Sequence, residues 1–217
     1  FLWNTTPDDE LLDAAERDEL DTRARLAVHV ERMLAGPKAK DAIRTYIDDY
    51  FALDRLADLS RDKALFPKMS ATLGASMREE VERIYMDAVE RDADLLSILD
   101  TRETFVNAEL AALYNVPPPS GGGFAKVGLD PSKSRGGLLG AAGILSVTSH
   151  PAATSPSLRG KFVREDILCQ AIHPPPPGVA SDLPSGPGTE NLTIREKLQN
   201  HLSNASCAGC HKAMDPI

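Results

Sequence analysis

Apolar side chains recur every three to four residues through the first half of the chain, and this spacing limits the folds that it can adopt. The spacing predicts a helix over residues 22–34 that ends at Gly36, and a further helix that starts at Pro37. The longest predicted helix begins near Ser70, and another covers residues 105–114. No convincing alternation of polar and apolar residues interrupts this pattern. The sequence therefore predicts an all-α fold.

The expected buried side of the helix over residues 22–34 consists of four apolar side chains. They are Leu26, Val30, Met33 and Leu34. At the start of the chain, Thr6 is expected to cap a first helix. Asp8 and Asp9 are interpreted as acids of the first helical turn rather than as a catalytic pair, because acids there complement the helix dipole.

A segment rich in Pro, Gly and Ser divides the chain. Residues 117–134 contain three successive prolines and three successive glycines, a composition typical of linkers. We predict a helical domain over residues 1–116, a linker over residues 117–134 and a helical region over residues 135–217. A second proline-rich segment, residues 174–177, is expected to be extended.

The charge balance narrows the classes of partner. The 217 residues include 24 Lys and Arg against 32 Asp and Glu, which gives a formal net charge of −8. This surplus of negative charge argues against nucleic acid or an anionic membrane surface as the main partner. No stretch approaches the roughly 20 apolar residues of a membrane-spanning helix, so no transmembrane segment is predicted. The abrupt ends at Phe1 and Ile217 indicate a fragment, so the lack of a visible signal peptide says little about location.

The strongest chemical signal lies near the end of the sequence, in Cys207-Ala208-Gly209-Cys210-His211. This C-x-x-C-H pattern is the attachment signature of c-type haem. Two thiols about one helical turn apart can each add to a vinyl group on one edge of a porphyrin, and the adjacent histidine then ligates the iron. We therefore predict that Cys207 and Cys210 hold a covalent haem c and that His211 is its proximal ligand.

Two other interpretations of the cysteines stay open. A redox-active C-x-x-C pair is typical of a βαβ context, which the sequence lacks. A zinc site would need further ligands, for which Cys169 and His201 are candidates, and a simple disulfide is the remaining option. The chain has three cysteines, which excludes a framework of several disulfides.

A six-coordinate haem needs a second ligand on the opposite face of the ring. Met214 follows His211 by three residues, so it lies on the same side and is expected to pack near the haem edge. His150 follows a glycine-rich apolar segment suited to lie flat on a haem, and it is our candidate for the second ligand. The alternatives are a surface role for His150 and a ligand that lies beyond Ile217 or on a partner chain.

Three cations cluster in a segment that is expected to lie near the cofactor. They are Arg159, Lys161 and Arg164, of which Arg159 and Lys161 are our candidates to bind the haem propionates. The alternative is an exposed helix face with no ligand. The sequence contains no serine-type triad, phosphate loop or acidic metal cluster, so it predicts no catalytic residue.

Two sets of residue strings resemble known families. The first set is Phe1-Leu2-Trp3, Pro7-Asp8-Asp9-Glu10-Leu11-Leu12, Thr104-Phe105-Val106-Asn107, Leu110 and Tyr114. The second is Arg135-Gly136-Gly137-Leu138-Leu139, Thr148-Ser149-His150-Pro151, Thr154-Ser155-Pro156, Leu158-Arg159-Gly160-Lys161 and the ending Met214-Asp215-Pro216-Ile217. The sets resemble domain-of-unknown-function families 1592 and 1588, in that order, which occur in large exported bacterial proteins with cytochrome-c-like, planctomycete-type haem domains.

The resemblance implies a cytochrome-c-like region over residues 135–217 that continues past Ile217, an exported or periplasmic location and a redox role without a known substrate. With the motif, it predicts an electron-transfer module rather than a catalyst. Its expected partners are a redox protein or further domains of the same protein. The alternatives are a haem-dependent oxidoreductase, peroxidase-like or part of a dehydrogenase, and a structural subunit of a larger redox or photosynthetic complex.

Overall fold

A computed structural model describes residues 2–133, 135–173, 188, 191–202 and 205–214, with the side chains at 200, 201, 205, 206, 210 and 213 outside that description. The described residues are mainly helical, as predicted, and include one small sheet. The predicted extended segment at residues 174–177 lies outside them. In chain order the helices and strands are α1 (Asp9–Glu16), α2 (Arg23–Ala35), α3 (Pro37–Phe51), α4 (Leu73–Glu90), β1 (Glu103–Val106), α5 (Ala108–Tyr114), β2 (Ala125–Gly128), α6 (Ala142–Val147), α7 (Pro156–Phe162), α8 (Ile194–Leu202) and α9 (Ala205–Met214).

Local capping signals set most of the helix starts. The hydroxyl of Thr22 accepts a hydrogen bond from the backbone N–H of Arg25 and caps α2, while Pro37 begins α3, and both starts agree with the sequence prediction. The cap of α1 is Asp8 rather than Thr6, so that detail of the prediction is wrong. A carboxylate caps a helix at least as well as a hydroxyl and also complements the positive end of the helix dipole.

Asp8 and Trp3 fix the start of the chain to α2. The carboxylate of Asp8 accepts two hydrogen bonds from the guanidinium of Arg32, at 2.6 and 3.0 Å. This contact, together with the cap, lowers the pKa of Asp8 to about 2. The indole N–H of Trp3 donates to the carbonyl of Met33 at 2.7 Å. Trp3 and Asp8, which belong to the first residue strings of the family resemblance, therefore both contact α2.

The sheet is a finding that helical periodicity did not anticipate. β1 and β2 pair antiparallel, with Glu103 opposite Gly128 and Val106 opposite Ala125. The helix predicted over residues 105–114 is wrong at its start, because Phe105 belongs to β1 and α5 begins at Ala108. Thr104, Phe105 and Val106 are of the branched and aromatic types that favour strands, but four residues are too few to show an alternating pattern. β2 lies within the segment predicted as a linker.

The described residues group into two compact units, residues 1–58 with 72–143, and residues 59–71 with 144–217. In the first unit α3 and α5 pack on α4 around a core of fully buried side chains. These are Ile47, Leu53, Leu56, Val81, Val106, Leu110 and Leu138. The division into residues 1–116, 117–134 and 135–217 stays a prediction, because compactness does not test whether a segment folds independently.

A buried carboxylate lies at the centre of the first unit. Glu80 on α4 has no exposed surface, and it accepts hydrogen bonds from the hydroxyls of Thr104 on β1, at 2.5 Å, and Tyr114 on α5, at 2.7 Å. The hydroxyl of Tyr114 in turn accepts from the backbone N–H of Ala142 at 2.8 Å. Burial raises the pKa of Glu80 above its ordinary value. One side chain thus joins three elements that are distant in sequence.

Three of the four apolar side chains predicted to be buried on α2 are exposed. Leu26, Val30 and Leu34 are 44%, 36% and 50% exposed, so the prediction is wrong for them, whereas Met33 is half-buried. Arg32 lies on the covered side instead, where its Nε is 3.0 Å from the carboxylate of Glu10. Periodicity identifies an apolar face but carries no information on whether another element covers that face.

Replacing Glu80 by leucine should lower the free energy of unfolding by about 2 to 4 kcal/mol near pH 4.5, because two buried hydroxyls lose their acceptor. Glu80→Gln keeps an acceptor oxygen and is expected to cost less. Chemical denaturation of the full chain, followed by circular dichroism, measures both variants. Equal stability of Glu80→Leu and the wild type would show that this network does not hold the unit together.

Comparison of Glu80→Gln with the wild type also tests whether folding raises the pKa of Glu80. Because burial raises its pKa above 4.5, the folded state binds this proton more tightly than the unfolded state does. The stabilisation that this tighter proton binding provides is complete below the pKa of Glu80 in the unfolded state. It is lost as the pH rises through the pKa of Glu80 in the folded state. Glu80→Gln lacks this loss, so its stability relative to the wild type should improve from acidic to neutral pH. A difference that stays constant across this range would contradict the assignment.

Candidate functional site

The C-x-x-C-H motif lies entirely within α9, in the second unit. Cys207 and Cys210 are three residues apart and His211 is four residues after Cys207, so the three positions share one side of a helix over about one turn. The side chain of Cys207 is 7% exposed and is not in a disulfide. His211 is half-buried, and the side chain of Cys210 lies outside the description.

The position of α9 is fixed by a close contact with α7. A Cβ atom at Gly160 of α7 would lie 2.1 Å from the carbonyl oxygen of Met214, a distance that no real side chain tolerates. Met214 itself is 7% exposed. α8 also packs on α9. Glycine at position 160 therefore lets two helices approach until the backbone of one meets the last turn of the other.

The two cations proposed as propionate ligands lie on α7, the helix that meets α9. Arg159 is half-buried and donates a hydrogen bond to the hydroxyl of Thr154 at 2.8 Å, and desolvation lowers the pKa of its guanidinium. Lys161 is exposed and forms an ion pair with Glu165 at 3.6 Å. Both side chains therefore have partners on their own segment, and their role toward a cofactor stays a prediction.

His150 lies in the loop between α6 and α7. Its side chain is exposed, and its backbone N–H donates to the carbonyl of Ala153 at 3.0 Å. Arg61 contacts the residues just before His150. Its guanidinium donates hydrogen bonds to the carbonyl of Ser146 at 3.2 Å and to the hydroxyl of Ser149 at 3.3 Å. The assignment of His150 as the second iron ligand stays a prediction.

Sequence reasoning missed two residues that shape this unit, Gly160 and Arg61. The partner of Gly160 lies 54 positions away at Met214, and Arg61 bonds to residues 85 and 88 positions away. A glycine inside a predicted helix is the one local signal that could have suggested a close helix contact at position 160. No local pattern marks Arg61.

The donor set on α9 suits a covalent haem. Two thiols one turn apart match two neighbouring vinyl groups, and haem needs a single imidazole from this helix. Among the described side chains, no group of three or more His, Cys, Asp or Glu is arranged to hold a metal ion. The side chains of Cys210 and His201 lie outside that search, so the zinc alternative stays a prediction as well. No helix in the described ranges is long and apolar enough to cross a membrane.

Gly160→Ala should lower the free energy of unfolding by about 1 to 3 kcal/mol, because overpacking at the backbone of Met214 outweighs the gain of roughly 1 kcal/mol in helix propensity. The matched control is Gly209→Ala on α9, where an added Cβ meets nothing within 4 Å. That variant should be as stable as the wild type or more so. Urea denaturation compares the two, and a Gly160→Ala protein at least as stable as Gly209→Ala would refute the close contact.

Comparison with known proteins places both parts of the chain in families. The model of PSCyt3, Protein of unknown function (DUF1588), matches residues 135–217. The model of PSD4, Protein of unknown function (DUF1592), matches residues 1–116. No curated protein and no solved structure matches the chain. The chain therefore belongs to the DUF1592 family through its N-terminal part, followed by a DUF1588 segment, in the order that the residue strings predicted.

Proposed function

We propose that this chain is a c-type cytochrome electron-transfer module, with haem held covalently by Cys207 and Cys210 and with His211 as the proximal iron ligand. The observation that carries the proposal is the placement of all three residues on one turn of α9, with the thiol of Cys207 outside any disulfide. Haem c, when bound, supplies one-electron chemistry at its iron.

The residues of the chain supply attachment and orientation. Cys207 and Cys210 would each hold the haem by addition of the thiol S–H across one vinyl group, with the sulfur on one carbon, the hydrogen on the neighbouring carbon and nothing released. His211 follows Cys210 directly on the same helical turn, so its imidazole would be the group that holds the iron. The contact of Gly160 with Met214 holds the last turn of α9, which follows the motif directly, and so helps to fix the positions of the motif residues.

Location and partners follow from this chemistry. Covalent attachment of haem to a C-x-x-C-H motif takes place outside the cytoplasm, so we propose an exported or periplasmic protein. An electron carrier needs a partner that delivers or removes the electron, and we propose a redox protein or further domains of the same protein for that role. The net charge of −8 disfavours nucleic acid in this role.

The full chain, produced with a c-type haem maturation system, should carry one covalent haem. Its mass should equal that of the chain plus one intact haem, because addition of the thiols releases nothing. A pyridine haemochrome spectrum of the denatured protein measures the attachment, and acid acetone should not extract the pigment.

Cysteine variants provide the matched controls. Cys207→Ala with Cys210→Ala should abolish covalent attachment, while Cys169→Ala, which removes an exposed thiol outside the motif, should leave it intact. Wild-type protein without haem, or with haem that extracts freely, would overturn the proposal. Stoichiometric zinc in that protein would favour the zinc alternative.

His150→Ala tests the second ligand. If His150 ligates the iron, its loss should convert a low-spin spectrum into a high-spin one, because the iron loses a strong ligand. His173→Ala is the control, since His173 is also an exposed histidine in the same unit. A spectrum that His150→Ala leaves unchanged would remove His150 from the site, and high-spin iron in the wild type would favour the oxidoreductase alternative.

A further inference from the structure

The side chain of Arg164 has a buried donor atom for which the described residues supply no acceptor. It lies in the π-helical turn Val163–Ile167, which continues α7 without a break. Its Nε is buried and has no hydrogen-bond partner in the described part of the chain. A buried donor without an acceptor destabilises the folded state, and more so when it belongs to a charged group. Such a cost persists at sites that await a ligand, and π-helical turns are frequent at functional sites.

Glu165, the acid next to Arg164, and Arg159 on α7 have other partners among the described residues. Glu165 accepts a hydrogen bond from the backbone N–H of Ile172 at 3.2 Å and pairs with Lys161 at 3.6 Å. Arg159 donates to Thr154 at 2.8 Å. Of the three cations in this segment, Arg164 is thus the one with a buried donor that has no acceptor among the described residues.

Arg164 also lies on the side of its helix that faces α9. It follows Gly160 by four residues, which is close to one turn, so both positions lie on the same side. Gly160 faces α9, because an added Cβ there would strike the backbone of Met214. Met214 is in turn three residues, or about one turn, beyond His211 on α9. The side of the α7 segment that carries Arg164 is therefore the side that meets the motif helix.

We propose that Arg164, rather than Arg159 or Lys161, binds a propionate of the haem attached to α9. This inference rests on the proposed function. A guanidinium offers its Nε–H and a neighbouring N–H as a planar fork that fits a carboxylate with two parallel hydrogen bonds. The cation disfavours oxidised iron, which carries one more positive charge than reduced iron, and so raises the midpoint potential.

Three variants of the haem-loaded full chain test the assignment. Arg164→Gln should lower the midpoint potential, because the cation is lost. Arg164→Lys should keep most of the potential, because it retains the charge without the fork. Lys63→Gln, the control, removes an exposed cation of the same unit that has no role in the proposed site and should leave the potential near the wild-type value. Redox titration followed by visible absorption measures all three.

Melting temperatures separate a ligand role from a structural role. Arg164→Gln should lower the melting temperature of the haem-loaded chain but not that of the Cys207→Ala, Cys210→Ala chain that carries no haem. An equal loss in both forms, or an unchanged midpoint potential, would overturn the assignment. If Arg164→Gln does not accumulate with haem, a wild-type melting temperature of its haem-free form supports the assignment and a lowered one contradicts it. A wild-type chain without covalent haem would instead refute the proposed function itself, and the haemochrome spectrum reveals this first.

Discussion

The close approach of α7 and α9 is the constraint on which the second unit depends. A helix that carries the three residues proposed to bind haem must be held in rotation as well as in position, since a rotation of about 100° would direct each of them elsewhere. The backbone of Met214 lies where the Cβ of any other residue at position 160 would be. This contact fixes the last turn of α9 against a rigid neighbour. The neighbouring segment also carries Arg159, Lys161 and Arg164, so one contact sets the relation between the motif and the cations.

Local signals in the sequence predicted much of the helical framework and the motif, because caps, prolines and helical periodicity act over a few residues. Thr22 and Pro37 begin their helices as expected. Features that depend on distant partners were not predictable in this way. β1 pairs with a strand some 20 residues further on, inside a segment whose composition indicated a linker. Glu80 looks like one more acid on the charged face of a long helix, and its burial arises only when β1 and α5 cover it.

The choice among Arg159, Lys161 and Arg164 also depends on distant partners and could not be made from the sequence, although all three lie in one segment. Charge and proximity to the motif are equal for Arg159, Lys161 and Arg164 when only the sequence is known. Their different environments depend on which side of the helix meets α9 and on the π-helical turn that carries the third cation. Among the described residues, Arg159 and Lys161 have local partners, whereas the buried Nε of Arg164 has none.

Glu80 and Arg164 both place polar atoms in the interior, but they differ in the hydrogen-bond partners that the described residues supply. Glu80 accepts hydrogen bonds from two hydroxyls, so its oxygens have partners within the protein and its removal should damage the fold, even though burial raises its pKa. The Nε–H of Arg164 has no acceptor among the described residues, so it contributes no hydrogen bond there. A buried donor that weakens the free protein persists when a ligand supplies the missing acceptor. A carboxylate of the proposed haem on α9 would be such an acceptor, since a carboxylate matches both the charge and the fork geometry of a guanidinium.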